Sequence, residues 1–195
     1  MVKKIRLKGF SALGYFPGIE DLLEEYLAEE ARVPLYGAVS CSKSDTKTST
    51  LIAADDDPQW DREDDWTETT LTIVVRQAEL KDLATFVGAD YEEPTNGPEM
   101  EESTLDESPP VALNFRGLKG GGGYRCFRYY NARLISYEVT PTTKGEGTGT
   151  QDYTLNFSCK GRAYDGRVRG TKDFDSADGV SAWLNTIPAM PDTQP

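Results

Sequence analysis

Residues 69–76 read Thr-Thr-Leu-Thr-Ile-Val-Val-Arg. Leu71, Ile73 and Val75 fall on one side of an extended chain, and Thr70, Thr72 and Val74 on the other. A period of two in β-branched and aliphatic residues predicts a half-buried strand. The next segment changes period. From Ala78 to Val87, the residues Leu80, Leu83, Ala84 and Val87 share one helical face, and Gly88 stands where a left-handed cap residue belongs. The spacing therefore predicts a strand followed by a short helix over 78–88.

Downstream of this pair the texture is β. Val111, Leu113 and Phe115 alternate with Ala112, Asn114 and Arg116. The run Gly120 to Gly123 predicts a turn, with strands over Tyr124–Tyr130 and Leu134–Thr140. Gly145, Gly147 and Gly149 predict another turn before Tyr153, Leu155, Phe157 and Cys159, which alternate with polar residues. Asp165-Gly166 is a hairpin signal. Asp175 to Leu184 reads as a last helical turn, and Pro188, Pro191 and Pro195 as a loose tail.

Upstream, Ile5–Phe10 alternates as a short strand. Ile19, Leu22, Leu23, Tyr26 and Leu27 have helical spacing, with acids on the opposite side, which predicts an amphipathic helix over Ile19–Ala31 stopped by Pro34. Leu35, Gly37, Val39 and Cys41 open a strand. Residues 42–66 then read as a long polar loop with a possible strand over Thr48–Ala53, and residues 89–110 as a mobile loop or poorly ordered hairpin.

Seven or eight short strands with two short helices predict a mainly β chain. The expected architecture is an antiparallel β-sandwich or barrel with a flanking α-helix, a long polar loop and extended termini. At 195 residues one domain is expected. Within it, 1–34 is an N-terminal arm or helix, 35–175 the β core with loop 42–66 and helix 78–88, and 176–195 a C-terminal tail. No βαβ alternation supports a parallel nucleotide-binding sheet.

Composition narrows the chemistry. The chain has no histidine, so Ser–His–Asp catalysis and histidine metal ligation are excluded. Cys41, Cys126 and Cys159 are too few and too scattered for a disulfide framework or zinc site, which predicts reduced thiols. No apolar stretch is long enough to span a membrane or resembles a secretion signal, so a cytoplasm-made protein is expected. The formal charge of −12 opposes phosphate binding by counterion release. That charge is uneven: residues 1–109 carry 25 acids and 10 bases, whereas residues 110–172 carry 4 acids and 11 bases. Solvated loops explain such halves, and so does a self-complementary protein whose acidic edge meets another copy's basic edge.

Individual motifs stay modest. Gly120–Gly123 lacks the Lys-Ser/Thr and helix of a phosphate loop and reads as a hairpin turn. Tyr124-Arg125-Cys126-Phe127-Arg128-Tyr129-Tyr130 interleaves aromatics and arginines as a single-strand binder would, yet it equally suits sheet packing. The cluster Asp55, Asp56, Asp57, Asp61, Asp64 and Asp65 lacks the glycine of a calcium loop, and Pro58 and Trp60 fall inside its span. No pair of carboxylates stands out for hydrolysis. Trp60 and Trp66 bracket this cluster and read as docking anchors.

The order of parts resembles the major tail proteins, or tail tube proteins, of bacteriophages with long non-contractile tails. The resemblance runs through most of residues 35–175. It is carried by Leu35-Tyr36-Gly37-Ala38-Val39 and Ala54-Asp55-Asp56, then by Leu71–Val75 with Glu79-Leu80-Lys81-Asp82-Leu83 and Val87-Gly88. Val111–Arg116, the aromatic strand to Tyr130-Asn131-Ala132, Thr143–Gly147 and Gly161-Arg162-Ala163 complete it. It implies a β-sandwich with a flanking helix and no active site or cofactor. Hexameric rings would stack into a tube whose lumen passes double-stranded DNA without binding it. Tape measure, tail terminator and baseplate proteins are the implied partners, and the virion tail the implied location. In that frame Asp55, Asp56, Asp57, Trp60, Asp61, Asp64, Asp65 and Trp66 are candidates for contact with the next ring, and Ala78–Val87 is the flanking helix. Six copies at −12 each carry a formal −72, and acids facing the lumen would repel phosphates within about 8 Å in physiological salt. The alternatives are another tail or head–tail assembly protein, or a β-sandwich that binds carbohydrate or calcium through Trp60, Trp66 and the tyrosines.

Overall fold

The computed structural model describes residues 7–22, 26–28, 31–54, 57–76, 78–140 and 152–187. In chain order the elements are β1 (Leu7–Phe16), β2 (Ile19–Asp21), β3 (Tyr26–Ala28), β4 (Val33–Pro34), β5 (Ala38–Ala54) and β6 (Asp57–Val75). Then come α1 (Leu80–Val87), β7 (Asp90–Glu92), β8 (Glu99–Glu101), β9 (Val111–Lys119), β10 (Tyr124–Thr140), β11 (Asp152–Lys160), β12 (Arg169–Phe174) and α2 (Val180–Leu184). Eight strands form one antiparallel sheet in the order β4-β1-β9-β10-β11-β6-β5, with β12 also beside β10. Two short hairpins, β2–β3 and β7–β8, stand apart. The protein is mainly β and sandwich-like, as expected, and the sheet is not closed into a barrel.

The predicted core strand is the core strand. Leu71, Ile73 and Val75 are fully buried, and they lie opposite Phe157, Leu155 and Tyr153 of β11. Helix α1 covers this face with Leu83 and Phe86. The Phe86 ring meets Phe157 edge-on at 5.4 Å and Tyr15 of β1 at 4.6 Å. Each of these two side chains contributes about 1.5–3 kcal/mol by leaving water. Gly88 ends the helix at φ +84°, donating its N–H to Ala84 O at 2.8 Å. A side chain there would also lie 2.3 Å from Glu107 O, so glycine is required twice over.

The outer face of the β9–β10–β12 region is covered as well. Cys126 packs against Val180 and Leu184 of α2, while Phe16, Ile19, Ala112 and Tyr130 form a second cluster. Asn114 donates Nδ2 to Leu184 O at 2.5 Å and accepts from Arg32 Nε at 2.7 Å. The Arg128 guanidinium donates to Trp183 O and Thr186 O and lies 4.0 Å from the Trp183 ring centre. This is why both parities of Val111–Phe115 are buried.

Several expectations are corrected. Ile19–Ala31 is not a helix: β2 pairs with β3, with Ile19 opposite Ala28. The helical spacing offered an apolar stripe, and of its described side chains one finds a core and one does not. Ile19 is buried, Leu22 is 54 % exposed, and Asp21 is tied to Asn131 and to the Ala163 N–H. Residues 1–34 are therefore not an arm in their described part, since Leu13, Tyr15 and Phe16 of β1 belong to the core. Nor are residues 42–66 a loop; they are the two strands β5 and β6 of one long hairpin. The strands expected at Tyr124–Tyr130 and Leu134–Thr140 are a single strand, β10. Register shifts near Tyr129/Ala132 and Leu134/Ser136 let it serve β9 and β12 with its first half and β11 with its second. The turn at Asp165-Gly166 exists, with Gly166 N–H on Arg162 O at 2.9 Å. It joins β11 and β12 end to end along one edge of β10 instead of folding a hairpin. Residues 89–110 include the short β7–β8 hairpin, and residues 176–187 of the expected tail pack on the sheet through α2. The turn at Gly145, Gly147 and Gly149 lies outside the described residues.

Candidate functional site

The β5–β6 hairpin holds the sequence-predicted docking residues. Its root is part of the sheet: β6 pairs with β11 as far as Thr69, which faces Cys159. Beyond Thr69, among the described residues, β5 and β6 pair only with each other, out to Ala54 opposite Asp57. At about 3.3 Å per residue this outer ribbon is about 30 Å long. Burial changes at the same point. Thr69 and Leu71 are buried, whereas every residue of β5 from Ser42 to Ile52 is exposed, whichever face it occupies. Among the described residues, the β5 strand of the ribbon therefore has no core on either face.

Asp45 fixes the root. It sits opposite Thr69 in the register, and its carboxylate accepts a hydrogen bond from Thr69 Oγ1 at 2.6 Å. Lys43 pairs with it, and Arg169 Nη1 of β12 reaches both oxygens at 3.1 Å. Lys43, then Thr69 and Arg169, hold this carboxyl well below the usual carboxylate range. Next to it, Ser158 Oγ donates to Glu68. A β12 arginine and a β11 serine thus clamp the place where the ribbon leaves the body.

Six of the eight docking candidates lie on β6. Asp57 faces Ala54, Asp61 faces Ile52, Asp64 faces Ser49, Asp65 faces Thr48 and Trp66 faces Lys47; Trp60 lies between Asp57 and Asp61. Asp55 and Asp56 are outside the described residues. The structure thus strings six of them along one strand of one ribbon. Trp66 is 36 % exposed, and Leu51 and Ile52 on the facing strand are 56 % and 41 % exposed. Arg62 Nη2 bonds Ser49 Oγ at 2.8 Å, and Thr48 and Thr67 share a hydroxyl bond at 3.1 Å, so side chains as well as the ladder join the two strands. Among the described residues no three acids or thiols come together as a metal-ligand group.

The strand expected over Thr48–Ala53 lies within β5, but sequence reasoning read the rest of 42–66 as loop because its residues are polar. The available signal was β-branching, with Thr46, Thr48 and Thr50 alternating along a chain free of glycine and proline from Ala38 to Ala54. It also missed Asp45, whose partners at Thr69 and Arg169 are 24 and 124 residues away.

Of the other chemically notable groups, Cys159 and Arg162 are buried and Cys41 and Arg125 half-buried. Cys159 and Cys41 have their thiols pushed up to about 12 by burial, the opposite of what an attacking thiolate needs. Arg125 and Arg162, two of the basic residues of 110–172, are paired within the chain, with Asp173 and Asp165. Among the described residues no helix is long and apolar enough to cross a membrane. No protein-family model matches the chain, and no curated protein matches its sequence.

Proposed function

We propose that the chain is a structural virion protein, the subunit of a bacteriophage tail tube. Copies form hexameric rings, the rings stack, and the lumen conducts double-stranded DNA during ejection. The observation that carries this reading is the outer β5–β6 ribbon. A two-stranded hairpin without a core is marginal in water by itself. This one extends about 30 Å, exposes Leu51, Ile52 and Trp66, and is braced at its root by Asp45 and Arg169. An element that is fixed at one end and whose strands, among the described residues, pair only with each other beyond Thr69 suits a contact that another subunit completes. The sheet supports the same reading. It is open, and the outer edge of β5 is unpaired among the described residues, so neighbouring copies can extend it. The reading needs no catalytic residue and no cofactor. Tape measure, terminator and baseplate proteins would be its partners, and the virion tail its location.

Negative-stain microscopy of the concentrated, full-length protein tests this directly. Rings about one subunit thick, or tubes of stacked rings, are expected. A protein that stays monomeric across a concentration series and in tube-promoting salt would overturn the assignment.

A further inference from the structure

The sheet leaves an apolar opening. Between β1 and β5 a cavity of ≈ 270 Å³ is lined by Leu7, Phe10, Cys41, Phe115 and Phe127. Its floor is ordered: Phe10 meets Phe115 edge-on at 5.0 Å, and Phe127 stacks on Phe115 at 5.1 Å. Leu7 at its mouth is 46 % exposed. Lys43 and Arg116 also line it, so an apolar hole carries two cations. Arg116 reaches Ser11 Oγ at 3.4 Å and lies 4.7 Å from the Tyr124 ring centre; neither group neutralises it.

A matching knob stands elsewhere on the same chain. Leu105 is 87 % exposed, the highest value among the large apolar residues described. One exposed leucine means nothing alone, but this one is held in place. Ser103 and Asp106 close the turn around it: the Ser103 N–H donates to Asp106 Oδ2 at 2.7 Å and the Asp106 N–H to Ser103 O at 3.2 Å. The Leu105 N–H donates to Ser103 Oγ at 3.2 Å. Glu101, Glu102, Asp106 and Glu107 flank it with no base between them. The turn feeds the start of β9 at Val111, while the cavity is lined from its far part, at Phe115 and Gly117. Knob and hole are therefore at opposite ends of one strand.

We propose that Leu105 of one copy inserts into the Phe10–Phe115–Phe127 cavity of a second copy, with the flanking acids placed against Arg116. The cavity has room for a leucyl side chain, the acids of the turn and Arg116 are of opposite sign, and among the described residues Arg116 is paired with no carboxylate, whereas Lys43 is already held by Asp45. Because the two patches differ, the contact is head-to-tail and repeats from copy to copy. It rests on the self-assembly reading above and adds a specific joint to it. Leu105 supplies the affinity, and the charges set orientation.

Two measurements on the full-length chain test the joint. Sedimentation equilibrium of Leu105→Asp should show subunit association weakened about 10- to 100-fold, the loss expected for one buried leucine, with an unchanged melting temperature. The double variant Leu105→Cys/Leu7→Cys, treated with diamide as oxidant, should give a ladder of trimers and higher species on a non-reducing gel. Wild-type association by Leu105→Asp, or crosslinking that stops at dimers while the protein still assembles, would overturn the joint and leave the tube subunit standing. A wild-type chain that never associates would overturn the tube assignment and the joint with it.

Discussion

Tyr15 and Asp82 join β1 to α1 through a hydrogen bond of 2.7 Å, between residues 67 apart in sequence. Asp82 is 8 % exposed, and burial raises its carboxyl above the ordinary value, with the Tyr15 hydroxyl pulling the other way. A raised carboxyl penalises the folded state where it is charged. The penalty is present above the native pKa and is relieved as the pH falls through it toward the unfolded value of about 4. Asp45 has the opposite sign. Its depressed carboxyl contributes stability above about pH 4 that is lost on further acidification. Asp82→Asn should therefore match or exceed the wild-type melting temperature near neutrality, and the difference should close toward about pH 4. Tyr15→Phe strands the buried charge and should cost about 1–3 kcal/mol near neutrality. Thermal melts of both variants across this range provide the check; an Asp82→Asn protein clearly weaker than wild type near neutrality would mean that the charged hydrogen bond outweighs its burial. Neither residue announces itself in the sequence. Asp82 reads as one more acid on the polar side of a helix, because its burial comes from a strand near the other end of the chain.

At the scale of elements, legibility followed how local the cause was. Strand 69–76 and helix 78–88 carry their periodicity and their glycine cap within twenty residues, and both were readable. Ile19–Ala31 was not, because its helical spacing is overruled by where Ile19 and Asp21 attach on the sheet. Residues 42–66 were legible only over Thr48–Ala53, for a related reason. Strand assignment leans on a buried face, and the described residues of β5 from Ser42 to Ile52 have none. That independence from the core leads to a prediction. Replacing residues 46–68 by an Asn-Gly turn between Asp45 and Thr69 keeps the braced root and offers the turn type that two-residue hairpins prefer. The shortened protein should melt within about 4 °C of wild type, roughly 1 kcal/mol for a chain of this size. It should also fail to form stacked tubes by microscopy. Tubes of normal length from this variant would remove the ribbon from the stacking interface, and a collapse in stability would mean that the ribbon supports the fold.

At the scale of the whole molecule, the uneven charge takes on a different meaning once the pairs are known. The sequence shows an acidic first half and a basic segment, which suggests attraction between copies. The fold uses a good part of that basic segment internally. Arg125 pairs with Asp173, Arg162 with Asp165, Arg169 with Asp45 and Lys119 with Asp175, while Arg128 is buried beneath α2. Among the described side chains, Glu63 and Asp65 of the ribbon are exposed, as are the acids of the β7–β8 hairpin, where Asp90 faces Glu101 and Glu92 faces Glu99 in direct register. Like charges opposite one another on a hairpin repel, and a copy at −12 meets another copy at −12. Net repulsion should then govern approach, with apolar contact holding the copies once they meet. Raising the salt from about 10 mM to about 150 mM shortens the screening length from roughly 30 Å to roughly 8 Å. Self-association, followed by sedimentation velocity over a concentration series, should strengthen across that interval. Weakening over the same interval would mean that attraction between unlike charges drives assembly, and would return the basic strands β9–β12 to the centre of the interface.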